Sequence, residues 1–495
     1  MTTSPLPTPQ LAANRPNIIF IMADDMGYGD LGCYGATKIP TPNVDRVARE
    51  GVRFTDAHSS SAVCTPSRYS VLTGRYCWRS VLKRLVGGGF SLPLIDPARM
   101  TIASVLKQKD YATAAIGKWH VGFEWQPKDG EFVDPDEWKD VGTVDYSKPI
   151  IGGPTQLGFD YFFGIAGSLD MPPYAFIENE HTVGIPTEEK HPYHAQQQQG
   201  FMTPGWKDEE VDVQFTKKAT SFIEQHVQEN PTQPFFMYLT PSAPHRPCLP
   251  PDFLKGSSQA GPRGDMVCVV DWMVGEITQT LDQLDLSDDT LLIITSDNGA
   301  QPADVDGKTY GHKSCGDLRG YKSDIWEGGH RIPFVARWSG HISPGTVCDE
   351  TICLSDMMST FAAIVGERLS EHAGEDSESI LPVLLGETAN QPIREATVHH
   401  SIFGMFAIRQ QQWKVIFGRG SGGFSGPDAD PARRFKWPEQ REPAQGEPAG
   451  QIYDLCNDLG ETNNLWDSHP EIVEEVSHLL EHYKATGCSC KHHAS

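Results

Sequence analysis

Apolar residues in this chain fall into short unbroken blocks, separated by longer stretches in which they recur every three or four positions. The first block is Asn17-Ile18-Ile19-Phe20-Ile21-Met22-Ala23; Tyr111–Ile116, Phe235–Leu239, Leu291–Thr295 and Ile332–Trp338 follow. Blocks without polar alternation predict strands covered on both faces. Between them, Ile102, Val105 and Leu106 make one helical stripe, and Phe215, Ala219, Phe222 and Ile223 make a second. Met266, Val270, Met273, Val274, Ile277, Leu281 and Leu284 make a third, longer one. Strands alternating with helices predict an α/β fold, a large mixed, mostly parallel sheet flanked by helices.

Two regions break this rhythm. Residues 124–210 are polar and rich in Gly, Pro and Gln, with Gln196–Gln199 consecutive. A stretch of that length reads either as a wall or lid of a site or as a surface insertion. From about residue 391 the pattern changes to a hairpin (Phe406–Arg409 with Trp413–Phe417), a loose stretch at 420–450 and a helix around Ile472–Tyr483. The expected organisation is therefore a catalytic domain over 15–390 and a smaller C-terminal α+β subdomain over 391–495.

Length and charge narrow the function classes. A chain of 495 residues can bury a large core. A net charge of −24 leaves no basic footprint for nucleic acid, so any anionic ligand must be captured by a local cluster of Arg, Lys and His. No apolar run is long enough to cross a bilayer, and no membrane partner is expected. Met1 to Pro16 is polar and proline-rich, with no visible signal peptide. The expected compartment is cytoplasmic, or periplasmic or secreted if a leader has been removed. Eleven cysteines are scattered without a CxxC repeat, which favours neither a zinc site nor a dense disulfide framework.

One of those cysteines stands out. In Cys64-Thr65-Pro66-Ser67-Arg68, Thr-Pro favours the first turn of a helix, which places Cys64 at an N-terminus where unpaired N–H groups attract anions. Arg68, one turn on, adds a positive fork suited to a tetrahedral oxyanion. The residues fit a nucleophile in an anion cradle; they also fit a buried structural thiol.

Acidic pairs close two of the apolar blocks: Asp24-Asp25 after the first and Asp297-Asn298-Gly299 after Leu291–Thr295. Each pair alone is an ordinary turn. Together, at the carboxyl ends of α/β strands, they make a hard-cation site for Ca²⁺ or Mg²⁺ with residue 64 beside it. Lys118 and His120 follow another block, and extended backbone would point both to one side. His245 follows Phe235–Leu239 in a proline-rich turn, and Lys322 lies in a Gly-rich loop before Ile332.

These elements, in this order, resemble the type I sulfatases of the alkaline phosphatase superfamily. The likeness runs from about residue 16 to 466. It includes Leu72-Thr73-Gly74-Arg75, Gly117-Lys118-Trp119-His120, Ala243-Pro244-His245, Leu318-Arg319-Gly320-Tyr321-Lys322 and Tyr453-Asp454-Leu455. One departure is Leu459, where the family often has proline. The resemblance implies an alkaline phosphatase-like fold and a cysteine, residue 64, converted to formylglycine by a formylglycine-generating enzyme. It implies one Ca²⁺ per chain held by Asp24, Asp25, Asp297, Asn298 and residue 64. Asp297 would act as base, Arg68, Lys118 and Lys322 would neutralise sulfate oxygens, His245 would protonate the leaving alcohol, and His120 would help expel sulfate. The expected substrate is a sulfated carbohydrate, with His312, His400 and Arg409 as candidate contacts to it. Two rival readings stay open: a phosphonate monoester or phosphodiester hydrolase of the same superfamily, and a non-catalytic sulfated-glycan binder.

Overall fold

The computed structural model describes residues 15–193, 197–301, 309–387, 391–425 and 446–490. Gln196 and most of the 420–450 stretch lie outside the described residues. An eleven-stranded sheet runs in the order Thr346–Cys348, Val52–His58, Arg331–Arg337, Thr290–Ser296, Asn17–Ala23, Phe235–Thr240, Ala112–Lys118, Tyr161–Ile165, Ile177–Glu178 and His181–Thr182, with Ile352–Cys353 also pairing Val52–His58. From Thr290–Ser296 to Tyr161–Ile165 all neighbours are parallel. Arg331–Arg337 is antiparallel to both of its neighbours.

The apolar blocks behave as their composition requires. Ile18, Phe20 and Met22 of the first strand enter one core, while Ile19, Ile21 and Ala23 enter the other. Successive side chains point to opposite faces, and both faces are dry, so no polar alternation is permitted. The helices Cys64–Thr73, Ile102–Lys107 and Met357–Ile364 feed the first core; Pro42–Glu50, Val211–Glu229 and Gly261–Gln283 feed the second.

Of the strands that the apolar blocks do not mark, two of the longer ones lie in the main sheet. Val52–His58 alternates apolar and polar residues and is too mixed to form a block. Tyr161–Ile165 lies inside the region read as a long polar wall or insertion, yet it is a parallel strand of the main sheet. Its short apolar run is diluted by Gly-rich flanks.

Thr397–His400, Phe406–Gln410, Trp413–Ile416 and Gln451–Asp454 form a separate antiparallel sheet. The helix Pro470–Thr486 covers it through Val476, Leu480 and Tyr483, which pack with Val398, Ile408, Val415 and Ile452. This sheet is joined to the main one by buried charge. Lys414, with no solvent exposure, places Nζ 3.0 Å from Glu327 and 2.8 Å from Glu461. Lys414 holds the Glu327 carboxyl well below its usual range, against the opposing effect of burial. Removing one partner of a buried ion group leaves uncompensated charge. Lys414→Met is expected to cost about 3–5 kcal/mol, read as a lower denaturant midpoint; an unchanged midpoint would show that the carboxylates find other partners.

Candidate active site

The site forms where parallel strands end side by side. Ala23 pairs with Ser296, so Asp24 and Asp297 leave adjacent strands together, and the Asp297 N–H donates to the Ala23 carbonyl. Asp25 turns back in the left-handed region (φ 71°), its N–H 3.1 Å from Asp297 Oδ1. A non-glycine residue held there costs about 1–2 kcal/mol, so its surroundings must fix it. On the other side, the Asp24 N–H donates to the Ala243 carbonyl, which draws the Ala243–His245 turn alongside. Asp24, Asp25, Asp297 and Asn298 have no solvent exposure.

Cys64 opens the helix Cys64–Thr73, every residue of which is buried. Such a helix has no wet face for its hydroxyls. Ser67 therefore donates to the Ser61 and Val63 carbonyls, Ser70 to Pro66 and Thr73 to Tyr69. Burial pushes the Cys64 thiol up, partly offset by Lys118 and Lys322 nearby.

Cations answer the carboxylates one for one. Lys118 Nζ lies 2.6 Å from Asp24 Oδ2, Lys322 Nζ 2.7 Å from Asp25 Oδ1 and Arg68 Nη2 2.8 Å from Asp297 Oδ2. Arg68 also donates Nε to Asp297 and Nη1 to the Lys118 carbonyl. Its Nε and Nη2 both engage Asp297 Oδ2. Lys118 ends its strand, so strict alternation does not carry on to His120. His120 instead turns in at φ 59°, its N–H on the Ala166 carbonyl.

The two histidines are fixed by carbonyls, which only accept. His120 Nε2 donates to the Gly87 carbonyl at 2.8 Å, leaving Nδ1 without a partner. His245 Nδ1 donates to the Arg246 carbonyl at 2.7 Å, leaving Nε2 3.6 Å from Asp25 Oδ2. Burial, then Lys118 and Arg68, holds His120 well below the ordinary imidazole range; burial and Lys322 lower His245.

The three further candidates have their polar partners elsewhere. His312 Nε2 binds Asp30 at 2.8 Å; Arg263 grips the same carboxylate and donates to the Asp25 carbonyl. Arg409 binds Asp56 at 2.6 Å, beside His58. His400 gives its ring Nδ1–H to the Ser401 carbonyl, and its own carbonyl accepts from Ala62 N–H and Ser61 Oγ. The sequence reading did not single out Asp30 and Arg263, which brace Asp25. Their signal was weak, an Asp in a Gly-rich turn and an Arg near the start of a helix.

A hard cation fits this donor set. Asp24 Oδ1 and Asn298 Oδ1 are buried and accept no hydrogen bond, as expected of oxygens shaped for an ion. Ligand atoms of Asp24, Cys64 and Asp297 lie within 4.8 Å of one another, as do those of Asp24, Asp25 and His245. Oxygens around Ca²⁺ at about 2.3–2.6 Å are separated by such distances.

A protein-family model described as Sulfatase matches residues 16–367. The chain belongs to the sulfatase family. It is 37% identical to an N-acetylgalactosamine-6-O-sulfatase of Bacteroides thetaiotaomicron over 95% of this chain and 94% of that protein. Human arylsulfatase A is 31% identical, over 94% of this chain and 87% of that protein. A solved Bacteroides thetaiotaomicron 6S-sulfatase, described in connection with glycosaminoglycan metabolism, superposes with TM-score 0.81 at 34% identity, covering 95% of this chain and 100% of that one. A Pseudoalteromonas sulfatase superposes with TM-score 0.73 at 25% identity, covering 97% and 95%. The sulfatase is thus an enzyme of alkaline phosphatase-like fold. Among its described residues no helix is long and apolar enough to cross a membrane.

The donor set predicts a measurable linkage. Calcium should raise the melting temperature of this sulfatase, with a gain of about 2.7 kcal/mol at a free concentration one hundred times Kd. Asn298→Ala and Asp24→Asn should each lose most of that gain in a thermal-shift titration. An equal calcium response in both variants would place the ion elsewhere.

Proposed function

We propose that this enzyme hydrolyses sulfate esters of carbohydrates, with a formylglycine derived from Cys64 and one Ca²⁺ held by Asp24, Asp25, Asp297, Asn298 and residue 64. The observations that support the reading are the ligand atoms of Asp24, Cys64 and Asp297 within 4.8 Å of one another and the orphaned buried oxygens on Asp24 and Asn298. When present, the hydrated aldehyde supplies the hydroxyl that attacks sulfur, and the ion draws charge from the sulfate oxygens.

The chain's own residues supply the rest. Burial, then the nearby Asp24 charge, raises Asp297 to about 7, with Arg68 and Lys118 opposing. We assign Asp297, a buried carboxylate whose ligand atom lies within 4.8 Å of that of residue 64, as the base for the attacking hydroxyl. Arg68 aims this carboxylate. Lys118 and Lys322 place positive charge where the sulfate oxygens gather negative charge. His245 offers Nε2 to the departing sugar oxygen. His120, with Nε2–H fixed on Gly87, keeps Nδ1 as an acceptor within the site. His312 and Arg409 spend their hydrogen bonds on Asp30 and Asp56, and we assign them bracing roles; His400 braces the 61–62 loop through its carbonyl.

The substrate class rests on the likeness to the N-acetylgalactosamine-6-O-sulfatase. A sulfated amino sugar of that kind is the first substrate to test, with a matched phosphodiester in parallel. Protein made with a formylglycine-generating enzyme should show an aldehyde in place of the residue-64 thiol by peptide mass spectrometry and release sulfate from the sugar. Cys64→Ala should release none, and faster phosphodiester turnover would overturn the assignment.

His245→Ala should lose about 10²–10⁴-fold in kcat on a sugar sulfate. Its loss on a nitrophenyl sulfate should be much smaller, because that leaving group needs little protonation. Equal losses on both substrates would remove His245 from the leaving-group role.

A further inference from the structure

The C-terminal tail carries two thiols that the catalytic site does not use. The helix Pro470–Thr486 ends at Gly487, whose left-handed φ of 76° turns the chain. Past that turn, Cys488 and Cys490 face each other with their sulfurs 3.0 Å apart. The other nine cysteines, like these two, are unbridged.

The segment between and around them is anchored. Ser489 N–H donates to the Glu375 carbonyl at 3.0 Å, Cys490 N–H approaches the same carbonyl at 3.4 Å, and Ser489 Oγ donates to Asp376 at 2.7 Å. Asp376 also receives Arg79 and the Tyr76 N–H, and its own N–H caps the Gly74 carbonyl at the end of the Cys64–Thr73 helix. The tail therefore docks on the residue that closes the nucleophile's helix.

The two sulfurs are chemically unequal. Cys488 is half-buried; its sulfur accepts from the Cys490 N–H at 3.3 Å, lies 3.0 Å from the Cys490 sulfur and can donate to the Cys490 carbonyl at 3.5 Å. Cys490 is only 5% exposed. The hydrogen bond from Cys490 lowers the Cys488 thiol against the opposing effect of burial, and the same bond raises Cys490. A reachable thiol 3.0 Å from a sheltered one is the arrangement of an attacking and a resolving cysteine.

We propose that Cys488 and Cys490 are a reversible thiol–disulfide couple that latches the C-terminal tail onto Asp376. The oxidant is a small-molecule disulfide. The Cys488 thiolate attacks one of its sulfurs, forming a mixed disulfide and releasing one small thiolate. Cys490 then gives up its proton and attacks the Cys488 sulfur, releasing the second small thiolate. The balance is two protein thiols and one small disulfide converted to one protein disulfide and two small thiols. This proposal stands apart from the catalytic reading.

The test equilibrates the folded full-length enzyme in graded mixtures of reduced and oxidised glutathione, followed by alkylation and peptide mass spectrometry. In oxidising mixtures the peptide carrying both cysteines should lose both alkylation sites and the mass of two hydrogens. Hydrogen exchange at the Ser489 and Cys490 amides should slow severalfold on oxidation and regain its rate on reduction. Cys488→Ser should abolish that redox response while leaving sulfate release at the wild-type rate. Two alkylated thiols at the most oxidising ratio, a glutathione adduct that never resolves, or amide exchange indifferent to redox state would each overturn the proposal.

Discussion

Three carboxylates without solvent, at the ends of two adjacent strands, dictate most of what surrounds them. A buried carboxylate is tolerable only when paired, and each pair here brings its own demand. At an effective dielectric of about 20, opposite charges 4 Å apart attract by about 4 kcal/mol, enough to hold Lys118 and Arg68 dry beside Asp24 and Asp297. Burying Arg68 requires burying its helix, so Ser67, Ser70 and Thr73 turn their hydroxyls back onto that helix and the loop before it. That loop must then be pinned from outside the main sheet's core. Its residues lean on the His330 and His400 carbonyls, and His399 Nδ1 donates to the Ser59 carbonyl. The small C-terminal sheet is thus part of what keeps residue 64 in place, and Lys414 is the charge that holds that sheet in contact.

The parts legible in the sequence were those in which one physical cause fixes one local pattern. Strands dry on both faces must be unbroken apolar blocks, and Asn17–Ala23 could not be anything else. Acidic residues placed at the ends of two such blocks point to an ion, and the structure brings Asp24 within 4.8 Å of a ligand atom of Asp297 and of one of Asp25. What stayed hidden depended on partners far along the chain. Val52–His58 reads as mixed because its register partners, Arg331–Arg337, are almost three hundred residues away. Arg68 looked like an oxyanion fork because nothing local shows that Asp297 would claim both arms. The bond from His312 to Asp30, a carboxylate that Arg263 also grips, forms only in the folded protein.

The three carboxylates are equal in type and unequal in state. Burial would raise all of them. Lys118, His245 and Arg68 overcome it at Asp24, and Lys322 and His245 overcome it at Asp25, so both stay below the usual range. Asp297 goes the other way, because Arg68 and Lys118 do not offset burial and the neighbouring Asp24 charge. A cluster that cannot ionise fully at equal cost concentrates its reluctance on one member. That member lies within ligand distance of Cys64.

The histidines follow the same logic with the sign reversed. His120 and His245 are fixed as opposite tautomers by the Gly87 and Arg246 carbonyls, and burial, with Lys118 at His120 and Lys322 at His245, lowers both imidazoles. A histidine that is to protonate a leaving alcohol must carry a second proton when the bond breaks. The free site opposes this, since Lys322 is already close to His245. An arriving sulfate ester is an anion, and negative charge beside an imidazole favours its charged form. In the proposed reaction the substrate therefore helps to arm its own acid.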